Sequence, residues 1–480
     1  MKNKLEKKWV SKQTMWIISL LATADVLVFI FPSYLKNVIN QEVIAMNLGI
    51  SNSQLGQATA IYGYISLAIY FFGSIVGDKF SLKWLTIIGL SIFGISGIWY
   101  GMVGLTYGGG IVWDNINDVA KLNSGGQTER FVQVMVIYSI WAVGKIIFWA
   151  PLWKLLSQQG KQEENGMLNG VHGSLNGFIG TIFVAFGFAL FTVFTPIFVN
   201  ETTYSTWAFT IMCWIFCGLI GIDVILLILF VKEQKSDNKI VNEFSIKDLK
   251  EVLKNGKVWL LSFVIMGVYM YQSGLSILVP FMNSTLIIAT IIVFVAGLLR
   301  TYLFRFFFSA WSGKIADRSG KYIKFLMIGT IIATFLITIS AILPGFKTGS
   351  FYDMSKGYKL FVQIVVFIFY LVLGAICWAL VTNRWATIYE IGVSQKQYAT
   401  AVGLISVIAF SPDAWFQQAN ASLTKVYKTP GFEGITPDGY SYQIAYQWLM
   451  LIIVIGGIIG IVSALILMQW IKREKLNKAL

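Results

Sequence analysis

The chain is short of charge. Only 12% of its 480 residues are Asp, Glu, Lys or Arg, where a water-soluble domain carries about 25%. A soluble protein of this length needs several domains, each with a polar skin, and this composition cannot supply them. Histidine occurs once, at His172, so a histidine-based metal centre is not expected. The three cysteines, Cys213, Cys217 and Cys377, all lie inside apolar runs, which excludes a disulfide framework or a thiolate metal site. No phosphate-binding GxxxxGKS, no HExxH and no GxSxG stands in a credible context, so neither nucleotide-driven work nor hydrolysis is indicated. The chain is expected to be no enzyme and to need no cofactor. No cleavable leader is evident either, because the first apolar run lacks a small-residue cleavage site.

What is abundant is apolar length. Hydrophobic residues make up 56% of the chain and mean hydropathy is +0.69. A membrane-crossing helix needs about 20 such residues in a row. Twelve runs qualify: 15–35, 54–77, 84–106, 131–156, 167–198, 206–231, 258–282, 286–313, 323–344, 359–388, 398–422 and 443–471. They do not alternate in the manner of β-barrel strands. The expected fold is therefore an all-α integral membrane protein, with lipid as its surroundings.

The net charge of +14 is not a nucleic-acid signature, because the basic residues sit in short loops between apolar runs. With the N-terminus inside the cell, twenty-six of the 37 Lys and Arg fall on the cytoplasmic side and eight on the other. That bias predicts a multi-pass protein of the cell membrane with both termini cytoplasmic. The tails are 1–14 and 472–480, and the long basic segment 232–257 divides bundle 15–231 from bundle 258–471. Within that linker, Phe244, Ile246, Leu249, Val252 and Leu253 have the spacing of a surface amphipathic helix. An ordinary solvated linker is the alternative.

The two halves echo each other. SIVGDKFSLKWL follows the second run and GKIADRSGKYIK follows the eighth, with Asp78 and Asp317 239 residues apart. Duplicated halves of this kind enclose a midplane site in many secondary transporters. The paired loops resemble the hallmark GxLADRxGRR-like motif of the major facilitator superfamily. Gly313, Asp317, Arg318, Gly320 and Lys321 fit it closely, while the first copy has Ser81 and Leu82 in place of Gly and a basic residue. FWAPLWKLL, NGMLNGVHGSLNGFIG and AVGLISVIAFSPD are further similar to a YihN-like branch, akin to organophosphate and nitrate porters. The resemblance implies twelve helices in two pseudo-symmetric six-helix bundles, alternating access, and a monomer that moves a small solute. It also implies that Asp78, Lys79, Asp317 and Arg318, on turns set by Gly313 and Gly320, form a conformational latch.

Ionisable groups inside apolar runs mark function by default. Five stand out: Asp25, Lys145, Asp223, Arg300 and Arg305. Arg305 lies twelve residues before Asp317, roughly 18 Å along the helix and near mid-membrane. Its guanidinium keeps its charge and suits carboxylate, phosphate or nitrate. The resemblance to nitrate porters, which use an arginine in the eighth span, supports it as the anion contact. Arg300 is about 140° round the helix from Arg305 and need not share its face. Lys145 is a second candidate contact and could pair with Asp25. Asp25 or His172 could carry a proton, whereas exchange for phosphate would need none. Asp223, in the sixth run, reads as structural. Tyr269, Gln272 and Trp378 complete the candidate binding set. Glycines 166, 170, 173, 177 and 180 form a stripe that allows close helix approach.

The expected function is secondary active transport of a small anion such as a sugar phosphate, carboxylate or inorganic anion. A neutral-sugar or drug carrier of the same fold, and a non-transporting sensor or scaffold, are the alternatives.

Overall fold

A computed structural model describes residues 12–37, 39, 41–70, 80–114, 119–159, 165–198, 206–232, 246–346, 350–393, 398–430 and 440–479. Among the described residues there are twelve long helical segments. They are α1 (Lys12–Tyr34), α2 (Asn52–Tyr70), α3 (Leu82–Leu105), α4 (Gln127–Ser157), α5 (Asn165–Phe198) and α6 (Thr206–Phe230), then α7 (Gly256–Thr285). The eighth, α8, runs as Thr290–Leu298, a π turn at Leu299–Leu303, and Phe304–Ser319. They continue with α9 (Tyr322–Ile342), α10 (Lys356–Ala386), α11 (Tyr398–Ala409 and Pro412–Val426) and α12 (Gln443–Ala479). Ten of these are long and apolar enough to cross a membrane on those grounds alone. The described part of α2 and the broken α11 are the other two, and both lie where the halves meet.

Each half has its own apolar core. One is built from α1 to α6, around Phe31, Phe93, Tyr138, Trp141 and Phe216. The other is built from α7 to α12, around Tyr271, Phe281, Leu373, Tyr446 and Ile453. Phe294 and Tyr302 of α8 join the first core although they belong to the second half. The outer faces are apolar as well, as exposed Ile95, Phe178, Ile225, Phe335 and Ile459 show, which is what a lipid surround requires.

The duplication shows in backbone detail. The helices α1 and α7 both loosen into a π turn near the end opposite the chain termini. These turns are Ile30–Tyr34, which contains Pro32, and Phe281–Thr285, which follows Pro280. Proline removes an amide donor and crowds the preceding turn, and a π turn absorbs that misfit. In the linker a helix forms over Ile246–Lys254, with Val252 buried and Leu253 exposed. The segment 233–245 lies outside the described residues. Two small antiparallel hairpins, β1–β2 (Ile111–Asp114 with Val119–Leu122) and β3–β4 (Thr429–Pro430 with Tyr440–Ser441), sit in loops to which the apolar pattern assigns no structure.

The loops on that distal face are tied by one buried arginine. Arg130, at the start of α4, has no exposed surface. Its Nε donates to the carbonyl of Gly49 at 3.0 Å, Nη1 to Thr106 and Gly109 at 3.2 Å each, and Nη2 to Asn123 at 2.6 Å. Gly49 has φ +69° and Gly126 φ +72°, and a Cβ on Gly49 would lie 2.4 Å from the Arg130 Nε. Both positions require glycine. Replacing Arg130 by Ala takes a donor from four carbonyls and leaves those of Gly49 and Asn123 with no other hydrogen bond among the described residues, and a loss of about 3 kcal/mol is expected. Arg130→Lys should rescue little, because a point charge cannot reproduce the planar fork. Thermal unfolding of the purified protein in detergent checks this, with both variants expected to melt well below the parent.

Candidate functional site

The halves meet along two helix pairs, α2 with α11 and α5 with α8. Exchanging the halves maps one pair onto the other. Small residues permit the approach. A Cβ on Gly63 of α2 would come within 2.3 Å of the Asp413 carbonyl in α11, and one on Gly56 within 3.0 Å of the Ala421 Cβ. A Cβ on Gly180 of α5 would collide with the Tyr302 ring, and one on Gly177 would press on the Tyr302 carbonyl. Part of the glycine stripe thus lies against α8, while Gly173 has open space beside it. On the distal face the Ser53 hydroxyl donates to the Ala421 carbonyl at 2.7 Å, and the Tyr446 hydroxyl to Glu42 Oε1 at 2.6 Å. Phe188 of α5 stacks on Phe294 of α8. The distal seam is closed.

Inside the seam lies a chain of polar groups. Asn176 of α5 donates from Nδ2 to Asp25 Oδ2 at 2.6 Å, and its Oδ1 accepts from Arg305 Nη1. The Tyr34 hydroxyl also hydrogen-bonds Arg305. The guanidinium lies over the Trp378 ring, 5.1 Å from its centroid. Arg305 is half-buried, and it is held by an amide, a phenol and an indole face. The carboxylate of Asp25 is one residue removed, with Asn176 between.

The π turn at Leu299–Leu303 changes what the sequence spacing implies for Arg300. It adds a residue to the turn and so rotates the register by roughly 100°, cancelling most of the expected divergence. Both arginines face α10. The Arg300 side chain fills the space beside Gly374, and its guanidinium lies 5.6 Å from the Tyr370 centroid. One turn along, Trp378 carries Arg305 on its face and donates from Nε1 to the Arg300 carbonyl at 2.6 Å. Gln272 of α7 joins two arginines. Its carbonyl accepts from Arg300 Nη2 at 3.2 Å, and its Oε1 from Arg384 Nη1 at 3.1 Å.

The expected pairing of Asp25 with Lys145 does not form. Asp25 turns to Asn176, and its Oδ1 has no hydrogen-bond partner among the described residues. Lys145, only 6% exposed, places Nζ 5.1 Å from the Tyr62 centroid and 5.6 Å from that of Phe29. It lies within electrostatic reach of Asp413 instead. Sequence reading misses Asp413, since Ser-Pro-Asp inside an apolar run suggests a turn. The signal that could find it is an acid in the first turn of a helix restarted by proline, where the helix dipole favours negative charge. Its Oδ2 accepts from the Tyr269 hydroxyl at 2.8 Å, and Ser273 also bonds it. Arg384, near the end of α10, lies within electrostatic reach of Asp413 as well. The Lys36 ammonium stays within the first half, reaching Thr59 Oγ1 at 2.6 Å and the face of Tyr138.

His172 is fully buried, edge-on to Trp153 at 4.8 Å between ring centroids. Asp223 is buried in α6, with neither oxygen hydrogen-bonded among the described residues. Of the loop motif, Asp78 and Lys79 lie outside the described residues, as do the side-chain surroundings of Gly313 and Asp317. Gly320 ends α8 at φ +57° and Arg318 is exposed, whereas Ser81 in the first copy sits at φ −59° and caps α3. The two loops therefore differ in backbone geometry. Glu390, just past α10, accepts from the Ile323 amide at 2.9 Å and so caps α9. Burial raises its carboxyl above the ordinary range against the pull of that amide.

Asn176 thus links Asp25 to Arg305 through one amide. Removing it as Asn176→Ala should cost about 3 kcal/mol, because both lost bonds involve charged groups. Adding Asp25→Asn should restore part of the apparent melting temperature by removing the stranded carboxylate. Melting curves of the single and double variants check this.

Comparison with known proteins agrees with this architecture. The Major Facilitator Superfamily profile matches residues 15–412. An uncharacterized protein of Mycoplasma pneumoniae, the MG294 homolog, is 30% identical over 439 residues, covering 90% of this chain and 88% of its own. The inner membrane protein YihN of Escherichia coli is 22% identical over 376 residues, covering 76% and 77%. Among solved structures, a bacterial homologue of the human lysosomal transporter Spinster, inward-facing and unoccupied, superposes with a TM-score of 0.64 at 13% identity, covering 96% of this chain and 98% of that one. A mutant form of the nucleoside transporter NupG gives 0.62 at 14% identity, covering 95% and 99%. With two six-helix halves meeting along a polar, glycine-lined seam, this multi-pass membrane chain belongs to the major facilitator superfamily of transporters.

Proposed function

We propose that the protein is a secondary carrier for a small anion, with Arg305 as the principal solute contact. The observation that carries this reading is the surroundings of Arg305. A permanent cation stands half-buried between the halves, held by an amide, a phenol and an indole face. Such neutral groups keep a guanidinium in place without cancelling its charge. The rest of the seam adds to the positive balance. Arg300, Lys145 and Arg384 accompany Arg305, against Asp25 and Asp413. Trp378 offers a face for the apolar side of the solute, Gln272 holds Arg300 and Arg384, and Tyr269 holds Asp413.

An incoming carboxylate or phosphoryl oxygen competes with Asn176 for Arg305. That competition loosens the contact between α5 and α8, so solute binding and movement of the halves share one hydrogen bond. Rocking then exposes the site to alternate sides. In the family, the loop after α8 and its counterpart after α2 hold one of the two states, which assigns Asp78, Lys79, Asp317 and Arg318 the latch role, with Gly313 and Gly320 shaping it. The excess of Lys and Arg on the termini side orients that face toward the cytoplasm of a cell membrane.

The test is counterflow in proteoliposomes with inorganic phosphate, sugar phosphates and carboxylates, using neutral sugars and nucleosides as comparators. An anion should exchange. Arg305→Ala should remove about 2 kcal/mol of its binding, roughly 30-fold in affinity, with Arg305→Lys intermediate. Undiminished anion exchange by Arg305→Ala, or exchange of neutral solutes alone, overturns the proposal.

A further inference from the structure

We infer that Asp413 carries the coupling proton, and that proton uptake releases its attraction to Lys145 across the seam. This rests on the carrier reading but not on Arg305 as the solute contact.

Position supports the assignment. Asp413 belongs to the second half and Lys145 to the first. Gly63 of α2 packs directly on the Asp413 backbone, and the residue before it, Tyr62, presents its ring to the Lys145 ammonium. Both residues therefore lie near the level where α2 and α11 touch, with Lys145 within electrostatic reach of Asp413. As a residue Asp413 is half-buried, whereas Asp25 is 2% exposed and His172 not at all, so Asp413 is the least enclosed of the three. The groups that face it are Lys145 from α4, Tyr269 and Ser273 from α7, and Arg384 from the end of α10. Tyr269 and Ser273 donate to the carboxylate and hold its orientation. Lys145 and Arg384 supply the opposing charge.

The chemistry balances without a further reactant. A solute anion drawn to Lys145 withdraws the countercharge of Asp413. The carboxylate then takes a proton from hydronium, leaving water and a neutral carboxyl. One negative charge and one proton have entered the seam together, so the return stroke moves no uncompensated charge through the lipid. Protonation also removes the pull that Asp413 exerts on the first half. The α2–α11 seam opens in consequence, from its middle toward the distal end.

The same α2–α11 seam provides a readout that needs no solute. Ser53 and Ala421 face each other at its distal end, eight residues beyond Asp413 on α11. In the full-length protein carrying Ser53→Cys and Ala421→Cys, a short bifunctional thiol reagent reports closure. The three native cysteines are buried. Cross-linking should be high at about pH 8 and fall as pH is lowered to about 5, as the carboxylate takes up its proton. Adding Asp413→Asn should fix the yield at the low level at both pH values. Lys145→Gln should likewise abolish the pH dependence, and Asp413→Glu should retain it, which distinguishes lost titration from lost folding. Arg305→Ala should leave the pH profile in place even where it ends anion exchange, so the two readings fail separately. A flat profile in the parent overturns the inference. So does a profile that survives Asp413→Asn, or one abolished by Glu42→Gln, whose carboxylate bonds Tyr446 at the distal end.

Discussion

Taking a guanidinium out of water is costly unless its donors find acceptors, and that cost shapes the centre of this molecule. Arg305 cannot deprotonate to escape it. The surrounding helices answer with an amide from α5, a phenol from α1 and an indole from α10. Four helices, counting its own, therefore hold their relative positions through one side chain, and each half contributes two of them. Any movement of the halves has to supply Arg305 with substitutes for what it loses. A solute bearing its own oxygens does so; an apolar one does not.

The same constraint explains the small residues. A polar side chain as short as Asn176 can bridge two halves only where the backbones come close. Gly63, Gly177 and Gly180 provide that approach. The duplication places such a contact twice, but with different chemistry at each. The α5–α8 contact is centred on a guanidinium. The α2–α11 contact lies beside a carboxylate. The proposed roles, recognition of solute charge at one seam and response to protons at the other, divide along this difference, although the two helix pairs correspond under exchange of the halves.

Much of this is legible without coordinates. Membrane spans are continuous apolar runs, and the bilayer fixes their length, so twelve can be counted and paired into halves. Arg305 can be singled out because depth follows from residue count along a helix. Azimuth does not follow so simply. The π turn beside Arg300 has no signature in LLRTYL, yet it decides that both arginines face α10. Partner choice is equally hidden. With several buried cations and acids available, spacing alone does not say that Asp25 meets Asn176, nor that Lys145 looks toward Asp413. Asp413 escapes notice because proline beside an acid suggests a turn, and here that turn is a break inside a span.

That break links geometry to coupling. A continuous α11 would pair the amide of residue 413 within the helix and leave its side chain in ordinary helical surroundings. Pro412 at the first turn restarts the helix instead, and the Asp413 amide bonds the Phe410 carbonyl across a tight turn. The carboxylate then sits where the positive end of Pro412–Val426 adds to the pull of Lys145 and Arg384. Fixed dipole and mobile cation are not equivalent, however. The dipole travels with Asp413 when the second half moves, so it cannot report separation. Lys145 stays with the first half, so its attraction falls as the seam widens. Under the proposal, the hold of Asp413 on a proton would therefore vary with the position of the halves, which is the property a proton-coupled carrier must build into one of its acids.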